Sequence, residues 1–387
     1  MPSFSADRHL PALTAAFERN FRELGEVGAS VSVFQGEEEV IHLSNGYTRR
    51  EEDTPWTAET LAPVWSATKG PAVVTCLCAL EEAGWTLDAK VCEIWPGFAG
   101  GGKQEVTLRQ LLSHTAGLSA LDRQVPMQDH AAVVAALEEQ TPSAPPGTQQ
   151  AYHARTFGFL LDELVRRVTG AASLGAYFDV RFGRVMDLDF WIGLPEEQAG
   201  RVATLYPGKM RPHTGKDPFF KAYSTPGSLT QRTFASPVGL GAVQDLNRPE
   251  AWALGNASMG GVGSARGLAK FYAMLANGGV WHGKQLVSPG VLESLETTLS
   301  QQEDAVLMAP VAFAAGVMRD PMDASGEKVR RSYGSGLRAF GHPGAGGSLA
   351  FADPGRGISF AYIMNQMELG ALPGEKTLSL VAALDEA

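Results

Sequence analysis

The chain has 387 residues, enough for two domains or for one domain carrying a large insertion. Hydrophobic residues make up 44% and charged residues 19%, below the usual ~25%, which excludes a disordered chain. The formal charge of −10, from 32 Lys and Arg against 42 Asp and Glu, comes with no dense basic cluster and argues against a nucleic-acid partner.

Met1 to Ala16 shows neither a basic n-region nor an apolar h-region, and no stretch approaches roughly eighteen uninterrupted apolar residues. The reading is a cytoplasmic chain with no signal peptide and no membrane span. Leu10, Leu13, Phe17, Phe21 and Leu24 recur at helical spacing and predict an amphipathic helix. Ala29, Val31 and Val33 alternate, followed by Gln35-Gly36 and a second run from Val40 to Leu43, a strand, a turn and a strand. Next comes Trp65-Ser66-Ala67-Thr68-Lys69-Gly70-Pro71, ahead of the apolar run Val73, Val74, Leu77 and Leu80. Ser66 would stand at the start of a buried helix with Lys69 one turn on and on the same face. Pro71 fits only in the first turn. Alone, the pair reads more readily as a cap beside a solvated lysine. Cys76, Cys78 and Cys92 are odd in number and lie in apolar surroundings, so buried free thiols are expected.

The middle of the chain is mostly helical, with helices at Thr107–Ser113, Asp129–Gln140, Arg155–Thr169 and Ser264–Ala276. Thr204 to Asn256 shows little periodicity and reads as a long pocket-lining loop. Strands return at Val311–Met318, Ser348–Phe351 and Ile358–Met364, and Lys376–Leu384 closes as a helix. The fold class is α/β (α+β): one antiparallel sheet built from both termini and flanked by helices, with a mostly helical domain inserted. The sheet domain spans 1–82 and 305–387, the helical domain 83–304, and the site lies at their interface.

Several near-matches fail. Gly97-x-x-x-x-Gly102-Lys103 has Gln104 where a phosphate loop needs a hydroxyl, so it reads as a surface loop. Gly261-x-Gly263-x-x-Arg266 lacks the third glycine of a dinucleotide fingerprint. The eight histidines show no ligand spacing, so no metal and no cofactor is expected. Two segments remain. Tyr152 follows Pro146-Gly147 just ahead of a helix, where a tyrosine is exposed enough to act. Gly341-His342-Pro343-Gly344-Ala345-Gly346-Gly347 leads into a strand and lets a ligand approach backbone N–H groups.

Ser66-Ala67-Thr68-Lys69, the run Leu111 to Leu118 (Leu-Leu-Ser-His-Thr-Ala-Gly-Leu), Tyr152 and His342-x-Gly344 stand in the order and approximate spacing of the serine β-lactamase-like superfamily. The chain resembles the class C β-lactamase and D-alanyl-D-alanine peptidase fold and, more narrowly, the family VIII carboxylesterases. The resemblance implies an acyl-enzyme on Ser66, with Lys69 and Tyr152 as acid–base partners. Either Lys69 or Tyr152 could be the base. The backbone N–H groups of Ser66 and Ala345 would form the oxyanion hole. Trp65, His153, His342 and Gly344 are candidate pocket residues, as are Phe234 and Trp252, while His114 reads as structural.

Two departures bear on substrate. Ala154 stands where class C enzymes carry asparagine, and His342 where they carry lysine. Both missing groups serve amide or carboxylate substrates, so the expected partner is a small-molecule ester of small to medium acyl chain. An amidase, a D-aminopeptidase or a weak β-lactamase is the runner-up, and a non-catalytic binding relative the third reading.

Overall fold

The computed structural model describes residues 4–210 and 217–385. Its frame is an eight-stranded sheet with every pair antiparallel. In spatial order the strands are Glu38–Gly46, Gly28–Gln35, Ile358–Met364, Leu349–Asp353, Phe340–Pro343, Met318–Arg319, Pro310–Phe313 and Ser300–Glu303. Strands from the two ends of the chain meet at the second and third positions of the sheet, where Val31 pairs with Tyr362.

The central strands read as nearly continuous apolar runs because both faces are covered. Along Leu349–Asp353 and Ile358–Met364, side chains alternate between two cores. Leu349, Phe351, Phe360 and Tyr362 enter one, and Ala350, Ala352, Ala361 and Ile363 the other. Helix Ala265–Ala276 covers the second face, and Ala6–Arg22 packs against Glu375–Ala383 at the chain ends. Small residues on the Ala265–Ala276 side let that helix approach closely, and Ser359 donates to the carbonyl of Ala269 there at 2.7 Å.

Helix Lys69–Glu82 is buried at every position from Lys69 to Leu80. An all-round apolar helix is an interior one, and it packs against Thr156–Thr169, which ends at Gly170 with φ 71°. Beside it lies a three-stranded sheet, Ala62–Pro63, Gly261–Gly263 and Phe190–Ile192. No metal-ligating cluster and no helix long and apolar enough to cross a membrane occurs among the described residues. Cys76 and Cys78 are buried free thiols, and Cys92 is partly exposed.

Three expectations change. The stretch Thr204–Asn256 is not a bare loop. It holds helices Pro218–Ser224, Leu229–Ala235 and Pro249–Leu254 and a 3₁₀ turn Val243–Asn247, while 211–216 lie outside the described residues. Each helix has fewer than two full turns beyond its cap, too little for a 3.6-residue repeat to show. Asp217 and Ser228 cap two of them. Val311–Met318 is two strands, not one, because the chain reverses at Ala314–Val317, with Gly316 at φ 77°. Lys103 does not belong to a surface loop. It is buried, its ammonium bonded to the carbonyls of Gly100, Glu138 and Gln140, so it closes the end of helix His130–Glu139.

Candidate active site

Ser66 opens a 3₁₀ turn, Ser66–Thr68, that runs directly into helix Lys69–Glu82. The turn is held from below by the small sheet. Val64 donates to the carbonyl of Gly261 at 3.0 Å, and Gly261 donates to Thr68 Oγ1 at 2.8 Å. A Cβ on Gly261 would press on Thr68 Oγ1 and on the Phe190 ring, so only glycine lets this strand lie against the turn. Trp65, immediately before Ser66, sits at φ 49°. That conformation is costly for a bulky residue and turns the chain sharply into the Ser66 helix.

Lys69 is fully buried, and its Nζ lies 3.2 Å from Ser66 Oγ. It also lies 2.8 Å from the carbonyl of Ala154 and 3.0 Å from that of Ser258. Among the described residues no carboxylate pairs with it. Burial therefore pushes its pKa well below the ordinary lysine value. Ser258 is itself fixed, since its Oγ donates to the Arg155 carbonyl at 3.1 Å and accepts from Gly158 N–H.

Tyr152 is not an exposed loop residue. It is 3% exposed, and its side chain is hydrogen-bonded to that of Ser66. The segment that carries it crosses the sheet edge instead of running over the surface. Desolvation raises its pKa first, and the Asp304 charge adds to this against the Ser66 hydrogen bond. The Lys69 Nζ stands 4.8 Å from the centre of the Tyr152 ring. The ring stacks on His342 at 5.9 Å and on Phe313 at 6.1 Å.

His342 lies on the edge of strand Phe340–Pro343 that faces Tyr152. Its Nδ1 is 2.8 Å from the Pro343 carbonyl, so Nδ1 carries the proton and Nε2 is an acceptor. Burial holds its pKa at about 3, and the imidazole is neutral. Gly344 follows, and a Cβ there would overlap the carbonyl oxygen of Val64. This close approach seats the Gly344–Gly347 turn beside the Ser66 turn. Among the described residues neither the Ser66 N–H nor the Ala345 N–H has an intramolecular acceptor.

The remaining candidates divide. Trp65 is half-buried and touches both cores, at the edge of the Ser66 turn. Phe234 packs on Phe219 and Tyr223. Trp252 does not line the site; it belongs to a separate cluster with Leu61, Leu194, Val202 and Val262. His153 points away from the chemistry. Its Nδ1 donates to the Ala151 carbonyl at 2.7 Å and its Nε2 accepts from Leu118 N–H at 3.1 Å. His114 is buried at φ 59°, its Nδ1 accepting from His153 N–H at 3.1 Å, between Phe157 and Phe313.

Ala154 and Ser258 contribute through backbone carbonyls, which no side-chain pattern reveals. Asp304 touches the site through the Tyr152 N–H, and in sequence it is one acid in the polar run Gln301-Gln302-Glu303-Asp304. The Gly261-x-Gly263 pair shows in the sequence, and the small sheet gives it its use, a strand laid against the Ser66 turn.

The model of the beta-lactamase family matches residues 17–384. The chain is 30% identical over 379 residues to the esterase/beta-lactamase LipL of Mycobacterium tuberculosis, covering 94% of this chain and 82% of that protein. Among solved structures, a family VIII carboxylesterase superposes with a TM-score of 0.86 at 30% identity, covering 99% and 98% of the two chains. A penicillin-binding protein homologue from Caulobacter crescentus superposes with a TM-score of 0.82 at 32% identity, covering 99% and 98%. The chain belongs to the beta-lactamase family of serine hydrolases.

Proposed function

We propose that the protein is a carboxylesterase-type hydrolase that cleaves esters of small to medium acyl chain through an acyl-enzyme on Ser66. The observation that carries this reading is the set of partners around Lys69 Nζ. A neutral amine has two N–H bonds and one lone pair. The carbonyls of Ala154 and Ser258 accept the two N–H groups, which leaves the lone pair facing Ser66 Oγ at 3.2 Å. Lys69 is then the base that takes the serine proton, and its depressed pKa keeps the amine available.

Tyr152 enters the cycle protonated and gives its proton to the departing alkoxide, and Lys69 passes the proton it took from Ser66 to the resulting tyrosinate. In the second half of the cycle a water loses its proton along the same route and attacks the acyl carbonyl. The Ser66 and Ala345 N–H groups hold the developing oxyanion. Losing one such donor costs ~10²–10³ in kcat. The sheet unit, 1–82 with 305–387, supplies Ser66, Lys69 and Ala345, and the helical unit, 83–304, supplies Tyr152.

Preference for esters rests on Ala154 and His342. Neither supplies the amide or the cation that a carboxylate-bearing lactam would meet. The family VIII carboxylesterase neighbour and the LipL relative support ester cleavage, and the description of LipL as an esterase/beta-lactamase keeps lactams as the runner-up substrate. Hydrolysis of p-nitrophenyl butyrate is set against that of nitrocefin, with mass spectrometry of a fluorophosphonate adduct on wild type and Ser66→Ala. Ester turnover and an adduct lost in Ser66→Ala are expected. Nitrocefin turnover without ester turnover reverses the substrate reading, and an adduct that survives Ser66→Ala overturns the mechanism.

A further inference from the structure

Asp304 is a completely buried carboxylate that the reaction as described does not use. It lies just past the last sheet-edge strand, Ser300–Glu303, in the turn before Pro310–Phe313. Its Oδ1 accepts from Val306 and Leu307 N–H, each at 2.9 Å, which closes its own turn. A turn of that kind needs nothing more. Yet the same oxygen also accepts from Tyr152 N–H at 3.1 Å, and Oδ2 accepts from Gln150 Nε2 at 3.3 Å. Both donors come from more than 150 residues earlier in the chain.

We propose that Asp304 is a positioning residue for Tyr152: its carboxylate pins the tyrosine backbone to the sheet edge. The inference rests on the acid–base role given to Tyr152 above.

The anchoring is local and dense. Ala305 donates to the Gln150 carbonyl at 3.0 Å, and Gln150 N–H donates to Gln302 Oε1 at 3.1 Å. Gln150 Nε2 also reaches the Val311 carbonyl at 3.3 Å. The segment Gln150–Tyr152 is thus laid across the edge hairpin at both of its strands. Helix Leu229–Ala235 is tied to the same turn, with Thr230 Oγ1 donating to the Val306 carbonyl at 2.9 Å.

Several other titratable groups face Tyr152. Lys69 lies over the ring, and burial disfavours its ammonium form. His114 and His342 flank it, and burial keeps both neutral. Ser66 meets the hydroxyl. Tyr333 is the other phenol within electrostatic reach, and burial keeps it protonated. Among the described residues no cation pairs with Asp304. The groups that face it are N–H donors, which favour its ionised form, but burial outweighs them and raises its pKa above the ordinary carboxylate value. When ionised it is, among the described residues, the carboxylate whose charge acts on the phenol, and a nearby negative charge opposes ionisation to phenolate.

The test compares wild type, Asp304→Asn and Asp304→Glu in the full chain. Asp304→Asn keeps the shape and one acceptor oxygen but removes the charge. Turnover of p-nitrophenyl butyrate is measured across pH. In parallel the ultraviolet titration of the Tyr152 phenolate is isolated as the difference from Tyr152→Phe. For Asp304→Asn, kcat falls by up to about 10²-fold with KM little changed, and the phenolate band rises at lower pH than in wild type. For Asp304→Glu, kcat falls but the titration stays near its wild-type position, because the charge is retained. Wild-type kcat and an unmoved titration in a folded Asp304→Asn overturn the proposal. Should that variant not fold, wild-type kcat in Asp304→Glu overturns the positioning role. An inactive wild type defeats the esterase reading instead, and the titration still reads Asp304.

Discussion

Lys69 Nζ lies 3.0 Å from the carbonyl oxygen of Ser258, a residue 189 positions further along the chain. That contact and its counterpart at Ala154 use up the two hydrogens a neutral amine can donate. An ammonium would have to bond Ser66 with its third hydrogen, as a donor to the oxygen it is meant to deprotonate.

The pH dependence follows from this arrangement. Under the proposed mechanism Lys69 is the base, and its folded pKa lies well below 10.5, so activity is expected to fall as pH drops through that depressed value and to be retained above it. Lys69→Arg cannot lose its proton at working pH. Its kcat is expected to fall by roughly 10²–10⁴-fold with no recovery at alkaline pH. A pH–rate profile of the variant checks this, and recovery at high pH would exclude Lys69 as the base.

Ser258→Ala tests the carbonyl. The hydroxyl bonds to the Arg155 carbonyl and to Gly158 N–H hold the peptide that faces Lys69. Freed of both, the carbonyl is held less firmly, and kcat drops by about tenfold with KM unchanged, a loss of roughly 1.4 kcal/mol of transition-state stabilisation. Steady-state kinetics decide it.

Gly344→Ala places a Cβ against the Val64 carbonyl, where backbone cannot yield cheaply. The turn that carries the Ala345 N–H must move away from Ser66. The expected result is a folded protein with kcat lowered by ~10²–10³, the scale of one lost oxyanion donor. A wild-type rate of fluorophosphonate labelling would contradict it.

Acid stability has a histidine component. The folded pKa of His153 is lowered to about 4 and that of His342 to about 3, because burial disfavours their charged forms. Unfolded histidine takes up its proton near ~6.5. Below that value the unfolded state binds more protons, so stability is lost as pH falls from ~6.5 toward the folded values and is fully present above ~6.5. Across its window His153 contributes on the order of 3 kcal/mol and His342 on the order of 5 kcal/mol. Urea unfolding at pH 7 and pH 5 should show the midpoint falling, and His342→Gln should flatten the difference.

Tyr272 carries a buried hydroxyl without a partner among the described residues, pressed toward Gly70 in the first turn of the Ser66 helix. An unsatisfied buried hydroxyl costs ~1–3 kcal/mol. Tyr272→Phe is therefore expected to raise Tm by a few degrees and to leave ester turnover unchanged, as thermal unfolding will show.

The sequence by itself determined the sheet-forming ends, the buried Ser66 helix and the four segments that converge. Each of these is a local pattern: apolar alternation around Val31 and Phe360, an i, i+3 pair at Ser66 and Lys69, a glycine-rich turn at Gly344. Tertiary structure alone decided what surrounds them. The carbonyls of Ala154 and Ser258 carry no side-chain signal, so their hold on Lys69 cannot be written in residue identity. Tyr152 looked exposed because nothing near it in sequence covers it. It is buried by Phe313, His342 and the Asp304 turn, all of which arrive from the far end of the chain. His153, adjacent to Tyr152, is turned away because both of its ring nitrogens meet backbone groups at Ala151 and Leu118. Proximity in sequence supplied the candidates, and burial against distant backbone supplied their charge states, because desolvation depends on everything packed around a group and not on its neighbours in the chain.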